Sequence, residues 1–529
     1  MRSIATATGR LPPICTVEDP LELARATLGG TPAWLVGGAL RDRLLGRPTA
    51  DLDIVVDGDP GAVARALARA ASAPRANAFA LSEEFGGWRV VARGGTWQVD
   101  VERMRGSSLE EDLALRDFTV NAVAEPLQAP LGTQLIDPLG GLRDLDAGRL
   151  RAAGPRAFAD DPLRVLRLAR IAVELELTPT PQTLREAAAH ADRLPTVSPE
   201  RVFIELRRIL AAEESVAGLR LLAETGAERA VLPELAALRG VSQSHYHHRD
   251  VYGHTLEVLQ RTIELQRDPD AVLGLGDARR GGSRDGRPAD ADAAEPVAGA
   301  AAGSSAVDGA ALTALLAEPL ADGLTRGEAL RWGALLHDIA KPLTRGVMPD
   351  AGAPGGERVT FLGHDRRGAE LAGGILGRLR TSARLRSHVT ALVLHHLRLG
   401  FLVHESQPLT RRTVYAYLRA TEPVEVDVTL LSVADRLATR GARAETAIEA
   451  HLGLARAMLA DAVSWRHLGG PPAPLWRGDE LARELGIAPG PRLGELLEEL
   501  ARAAYAGEVT TRPAALAHAR RALEGFGGR

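Results

Sequence analysis

Leu35-Val36-Gly37-Gly38-Ala39-Leu40-Arg41-Asp42, followed by Leu44-Leu45-Gly46 and then Asp51-Leu52-Asp53, is the stretch on which the reading of this chain turns. A glycine pair leads into a helix, and two carboxylates follow at i, i+2 on an apolar strand. Residues i and i+2 of a strand point to the same face, so Asp51 and Asp53 are placed to share a pair of Mg²⁺ ions. Gly37 and Gly38 let the backbone approach phosphates closely, where a helix N-terminus attracts negative charge. The arrangement suits a nucleoside triphosphate with its metal ions, without a glycine-rich loop ending in Lys-Ser/Thr. It points to metal-dependent nucleotidyl transfer.

At 529 residues the chain is expected to hold several domains, with apolar content for more than one core. The single cysteine, Cys15, excludes an intramolecular disulfide framework and fits a reducing compartment. No apolar run is long enough to cross a bilayer and no signal peptide is evident, so a cytoplasmic protein is expected. The formal net charge of -4 means that any RNA contact must come from a local basic patch. Almost every basic residue is arginine, and Lys341 is the only lysine.

The fold expected is α+β. Short β-rich runs at 33–36, 53–56, 88–91 and 97–101 alternate with turns and helices, forming a small mixed domain. From Asp160 the pattern turns helical: Leu163, Leu166 and Arg170, then Val202, Leu206, Ile209 and Leu210, keep helical spacing. A Gly/Ala/Asp/Arg/Ser-rich segment at about 267–312, including Gly281-Gly282-Ser283-Arg284-Asp285-Gly286, has few apolar anchors and reads as a disordered insertion. A looser Gly/Pro-rich loop lies near 349–357, and no internal repeat is visible.

Further along the first domain, Asp100 in Gln98-Val99-Asp100-Val101-Glu102 is a candidate third catalytic carboxylate, with a surface aspartate as the alternative. Arg116-Asp117-Phe118-Thr119-Val120-Asn121-Ala122 follows. Next, Phe158-Ala159-Asp160-Asp161-Pro162-Leu163-Arg164 opens a helix, with Asp160 as N-cap and Pro162 in the first turn. Asp161 and Arg164 are i, i+3 neighbours, so acceptors and forked donors lie side by side as a base edge requires.

Taken together, these strings resemble the class II polynucleotide nucleotidyltransferases, the tRNA CCA-adding enzymes and bacterial poly(A) polymerases. The resemblance implies catalytic Asp51, Asp53 and Asp100, with Mg²⁺ on Asp51 and Asp53. It also implies nucleotide binding by Gly37, Gly38, Arg41, Arg116, Asp117, Asn121, Asp161, Arg164, Arg167 and Arg170. The base-selecting motif of that family begins with Glu, and this chain has Asp160 there. Ile136-Asp137-Pro138-Leu139-Gly140-Gly141 resembles the family's hinge, and Pro199-Glu200-Arg201-Val202-Phe203-Ile204-Glu205 its neck motif.

A second centre is legible in the histidines. His254, His337-Asp338, His364, His395-His396 and Asp435 all lie in helical contexts. Helix-borne His and Asp from separate segments suit a mixed N/O site for Mg, Mn, Ni or Fe. The order His…His-Asp…Asp, with Lys341 in His337-Asp338-Ile339-Ala340-Lys341-Pro342, resembles the HD phosphohydrolases. That likeness implies a core ligand set of His254, His337, Asp338 and Asp435, extended by His364 and one of His395 and His396. The implied activity is phosphoester hydrolysis, on a 2′,3′-cyclic phosphate of damaged RNA or on a small nucleotide.

The resemblance divides the chain into an N-terminal leader (1–30), a nucleotidyltransferase head (31–150), a helical neck binding nucleotide and RNA (151–240), an HD domain (241–450) and a helical tail (451–529). Its leading function is untemplated CCA addition to tRNA from CTP and ATP by a two-metal mechanism. The connection Gly106-Ser107-Ser108-Leu109-Glu110-Glu111-Asp112 is shorter than CCA enzymes usually have, which makes CC addition the main alternative. Poly(A) polymerase, an HD hydrolase or nucleotide sensor with a vestigial head, and an RNA-binding module follow.

Overall fold

The computed structural model describes residues 19–71, 76–82, 86–243, 249–275, 307–350, 356–403, 409–439 and 444–526. Contacts divide the chain into two compact units between Val231 and Leu232. The expected neck boundary at 240 therefore falls inside the second unit.

The first unit is built on a six-stranded sheet. Its strands are β1 (Ala33–Val36), β2 (Asp51–Val56), β3 (Asn77–Ser82), β4 (Gly87–Val91), β5 (Gln98–Arg103) and β6 (Ala124–Pro126), in the spatial order β3-β4-β5-β2-β1-β6. Only β2 and β5 run parallel among neighbours. Alternation along β2 positions the site. Leu52, Ile54 and Val56 enter the main core, and Val55 packs on the other face with Leu113 and Ala122. Asp51 and Asp53 share the face of Val55, just beyond that smaller core.

Helix Pro20–Thr27 begins at Asp19, whose carboxylate accepts from the Leu21 N–H at 2.9 Å. Leu21, Leu23, Ala24 and Leu28 pack into the sheet core, so the later part of the expected leader belongs to the head. The apolar spacing of these residues was the available signal. After the sheet, helices Arg164–Leu175, Pro181–Ala188, Pro199–Ala211 and Ser215–Glu224 follow.

The second unit is a helical bundle. Helix Glu425–Ala438 is its centre, buried almost all round through Val426, Val428, Leu430, Leu431 and Val433. Helices Val251–Arg267, Arg326–Leu336 and Ala383–His395 pack against it, and His364–Arg378 packs on the last of these. A capping box at Thr325 and Glu328 sets the start of the helix that ends beside His337. Helices Gly478–Leu485, Pro491–Tyr505 and Arg512–Phe526 close a small core of their own around Leu481, Leu496 and Leu500. The proposed insertion is corrected at both described ends: Pro269–Leu273 and Gly309–Leu316 are helices anchored by buried Leu273, Leu312 and Leu315. Its centre, including 281–286, lies outside the described residues, as do 351–355 of the second loop. No helix among the described residues is long and apolar enough to cross a membrane.

Candidate functional site

In the first unit, the parallel register sets Asp53 opposite Asp100, bringing three carboxylates to neighbouring strands. Helix Gly37–Leu44 starts directly after β1 with no side chain capping it, which leaves its first N–H groups for an anion. Gly37 adopts φ +72°, and a Cβ there would sit 3.0 Å from Asp53 Oδ2 and 3.2 Å from Arg116 Nη1. The glycine thus leaves open a cradle between a carboxylate and a guanidinium.

Burial pushes the Asp53 carboxyl up to about 6, against the pull of Arg116 and with a further push from Asp100. Asp51 is also raised, first by burial and then by Asp100. Mutually repelling carboxylates on neighbouring strands are a donor set that fits divalent cations. Asp100 is held by Arg89, whose Nε and Nη2 each donate at 2.7 Å. Sequence reading missed Arg89, because only strand register sets it across from Asp100.

The Arg-Asp-Phe-Thr string forms a linked set. Asn121 Nδ2 donates to Asp117 Oδ1 at 2.9 Å, Arg167 Nε donates to Asp117 Oδ2 at 2.9 Å, and Arg41 Nη1 donates to Asn121 Oδ1. Burial opposes ionisation of Asp117, yet Arg167 and Asn121 hold its carboxyl well below the usual range. Arg116 meets buried Asp112 at 3.2 Å. Arg164 donates to the carbonyls of Leu115, Arg116 and Ala157, tying the helix to this string. Asp161 receives Arg201 at 2.7 Å and accepts from the Leu163 N–H. Asp160 ends the preceding short helix and pairs with Arg156, so it is not the expected N-cap; helix Arg164–Leu175 starts from Leu163 with no side-chain capping bond.

Arg170 is set apart from this group. It is 5% exposed, and its guanidinium is committed to Glu205 at 2.5 Å and Glu174 at 2.8 Å. Breaking a buried pair by removing one partner is costly, so Arg170→Met should destabilise the first unit by about 3–5 kcal/mol in urea unfolding. A change confined to the KM for nucleotide, with stability intact, would instead place Arg170 at the substrate.

The second unit gathers its histidines around Asp338. His337 Nε2 lies 3.2 Å and His254 Nε2 3.7 Å from Asp338 Oδ2, and His254 Nε2 lies 3.0 Å from Asp435 Oδ1. His364 Nε2 is 3.4 Å from Asp338 Oδ1 and 3.3 Å from His396 Nε2. His395 turns away, accepting from Arg398 at 2.9 Å, so of the two adjacent histidines His396 joins the cluster. Lys341 contacts Asp338 at 2.7 Å and Gln243 Oε1 at 2.6 Å. Burial opposes ionisation of Asp338, but His337 and Lys341 hold it well below the usual range. Burial, then His337 and His364, push His396 down to about 4. His396 is thus held in the neutral form a metal ligand needs, whereas at His337 the Asp338 carboxylate overcomes burial and favours the charged form.

Residues 33–151 match the poly A polymerase head domain, 176–238 the probable RNA and SrmB-binding site of polymerase A, and 310–440 the HD domain. Across 93% of its length the chain is 35% identical to an A-adding tRNA nucleotidyltransferase of Deinococcus radiodurans, and the match covers 96% of that protein. The chain belongs to the tRNA nucleotidyltransferase family.

Another family member, a CC-adding tRNA nucleotidyltransferase of Geobacter sulfurreducens, is 42% identical over 198 residues, 37% of this chain and 44% of that protein. The solved Thermotoga maritima CCA-adding enzyme complexed with tRNA shares the fold, with a TM-score of 0.55 at 19% identity over 95% of this chain and 94% of that one. His254 lies outside the matched HD segment, yet it joins the cluster from helix Val251–Arg267. In this family member the Gly37 cradle has a direct test. Gly37→Ala should cost about 1–2 kcal/mol in backbone strain. It should lower kcat for nucleotide addition by about 10²-fold through displacement of Asp53 and Arg116. Near-normal kcat would mean that the cradle holds no part of the substrate.

Proposed function

We propose that the first unit transfers a nucleotide from a nucleoside triphosphate to the 3′ end of tRNA, with Asp51, Asp53 and Asp100 as the catalytic carboxylates. The observation that carries this is the convergence of the three carboxylates beside the Gly37 cradle and Arg116. The RNA 3′-hydroxyl attacks the α-phosphate and pyrophosphate leaves. Divalent ions held by the aspartates would acidify the hydroxyl and stabilise the departing pyrophosphate. On this reading Arg116 would meet the triphosphate, the Asp117–Asn121 pair would shape the sugar pocket, and Asp161 would face the base while Arg164 ties its helix to the Leu115 and Arg116 carbonyls.

Of the three specificities in the family we favour addition of the terminal A from ATP to tRNA ending in CC. The A-adding relative supports it by matching nearly end to end, whereas the CC-adding relative matches 37% of the chain. The connection after β5 is also tied down: Ser107 N and Oγ bind Glu111 Oε2 at 2.7 and 3.0 Å, and Gly106 has no room for a Cβ. A tethered connection suits a pocket that never changes its nucleotide. The same shortness favours CC addition as the second reading.

The test is extension of tRNA transcripts ending at the discriminator base, at C or at CC, resolved to single nucleotides with CTP, ATP or both. Extension of only the CC-ended transcript, by one A, is expected. Two C additions that then stop would establish CC addition, and completion from the discriminator base would establish the full CCA activity.

We infer that the second unit is a metal-dependent phosphohydrolase. Buried His254, His337 and Asp338, with the partly exposed Asp435 beside His254, support the reading, and Lys341 would meet a substrate phosphate.

A further inference from the structure

A row of side chains crosses the sheet face that carries Asp53. The parallel register sets Asp53 opposite Asp100, and the antiparallel registers set Asp100 opposite Arg89 on β4 and Arg89 opposite Phe79 on β3. Arg89 donates through Nε to Asp100 Oδ1 and through Nη2 to Asp100 Oδ2, both at 2.7 Å, so a planar fork takes up the whole carboxylate. The hydrogen bond to Asp100 comes first in raising the Arg89 guanidinium, against the pull of burial, and Asp51 and Asp53 add to it through space. The same cation thus faces all three carboxylates. It is not a core ion pair: side-chain exposure is 32% for Arg89 and 19% for Asp100, and a pair this open adds little to folding.

What the fork does is commit both oxygens of Asp100. A divalent ion or a hydroxyl proton reaches this carboxylate only where one arm opens, while the other arm keeps it aimed across the sheet towards Asp53. We propose that Arg89 is the positioning residue of the head: its fork aims Asp100 at the reaction, and its charge competes with divalent ions for the three aspartates. This rests on the reading of the first unit as a metal-dependent nucleotidyl-transfer site and adds what sets its ion affinity. The two roles separate by chemistry. A lysine in place of Arg89 keeps the charge and loses the planar fork, whereas a methionine keeps much of the stem and loses both.

The experiment is Mn²⁺ binding by calorimetry on the full chain, read beside single-nucleotide extension of tRNA. The head's share of binding is the difference from the chain carrying Asp51→Ala and Asp53→Ala. Arg89→Met should bind Mn²⁺ at the head about tenfold more tightly, because a like charge beside the ion is gone. Its kcat should nevertheless fall by about 10²-fold as Asp100 loses its aim. Arg89→Lys should keep the parent's affinity and show the same fall in kcat. A merely structural arginine would not strengthen ion binding while slowing the reaction. Unchanged or weaker Mn²⁺ binding by Arg89→Met would overturn the competition, and an undiminished kcat would overturn the positioning. If Arg89→Met does not fold, Arg89→Gln takes its place with the same expected split. A parent chain that binds no more Mn²⁺ than its double aspartate variant would overturn the metal reading of the head and this inference together.

Discussion

Asp53→Ala should lower the rate of nucleotide addition to tRNA by at least about 10³-fold, the loss expected when a metal-holding carboxylate is removed from a phosphoryl-transfer site. Asp53 is chosen over Asp51 because it lies against both the Gly37 cradle and Asp100. Its environment adds a pH signature. With the carboxyl raised from 3.8 to about 6 chiefly by burial, an ion binding there must displace a proton at lower pH. Apparent Mg²⁺ affinity should therefore be flat above pH 6 and weaken by about tenfold per unit below it.

The sign for stability is opposite. A group with a raised native pKa contributes stability that is fully present below its unfolded value and is lost as pH rises through the native one. Metal-free protein should thus lose thermal stability between about pH 4 and pH 6, and Asp53→Asn should flatten that slope. Single-nucleotide extension and thermal melts across pH check both. Full extension by Asp53→Ala would remove this carboxylate from the chemistry.

Asp338→Ala should abolish phosphoester hydrolysis by the second unit, again by at least about 10³-fold, while tRNA extension continues. The effect should exceed that of any single histidine, because Asp338 alone lies within 4 Å of His254, His337, His364 and Lys341. Its removal also leaves the 7% exposed Lys341 without its carboxylate, so Asp338→Asn serves as the milder comparison. Hydrolysis of bis(p-nitrophenyl) phosphate with Mn²⁺ or Ni²⁺, together with metal content, is the measurement. Undiminished hydrolysis would move the reaction away from this cluster.

How much of this was legible differs between the two sites for a physical reason. The head motifs are compact in sequence: strand periodicity puts Asp51 and Asp53 on one face, and Gly37 and Gly38 follow β1 directly. Arg167 and Arg170 look equivalent as helical arginines, and burial alone separates one on Asp117 from one bound to Glu205 and Glu174. Arg89 carries no motif, and its bond to Asp100 depends on a strand register that side-chain alternation does not specify between neighbours. In the second unit the residue types and their order pointed to a metal. The choice of His396 over His395 waited for packing, since adjacent residues on a helix face different sides.

By itself, then, the sequence determined the family, the α+β class, the carboxylate pair and the His-Asp string. These reside in short spans where covalent geometry and local periodicity leave little choice. Tertiary structure decided what is non-local: Asp100 opposite Asp53, the seating of residues 20–28 in the head core, and the separation of Arg170 from the other arginines. It also decided that Asp338 turns one oxygen to each pair of histidines. Each of these depends on distant segments meeting in one packed arrangement, which no local pattern encodes.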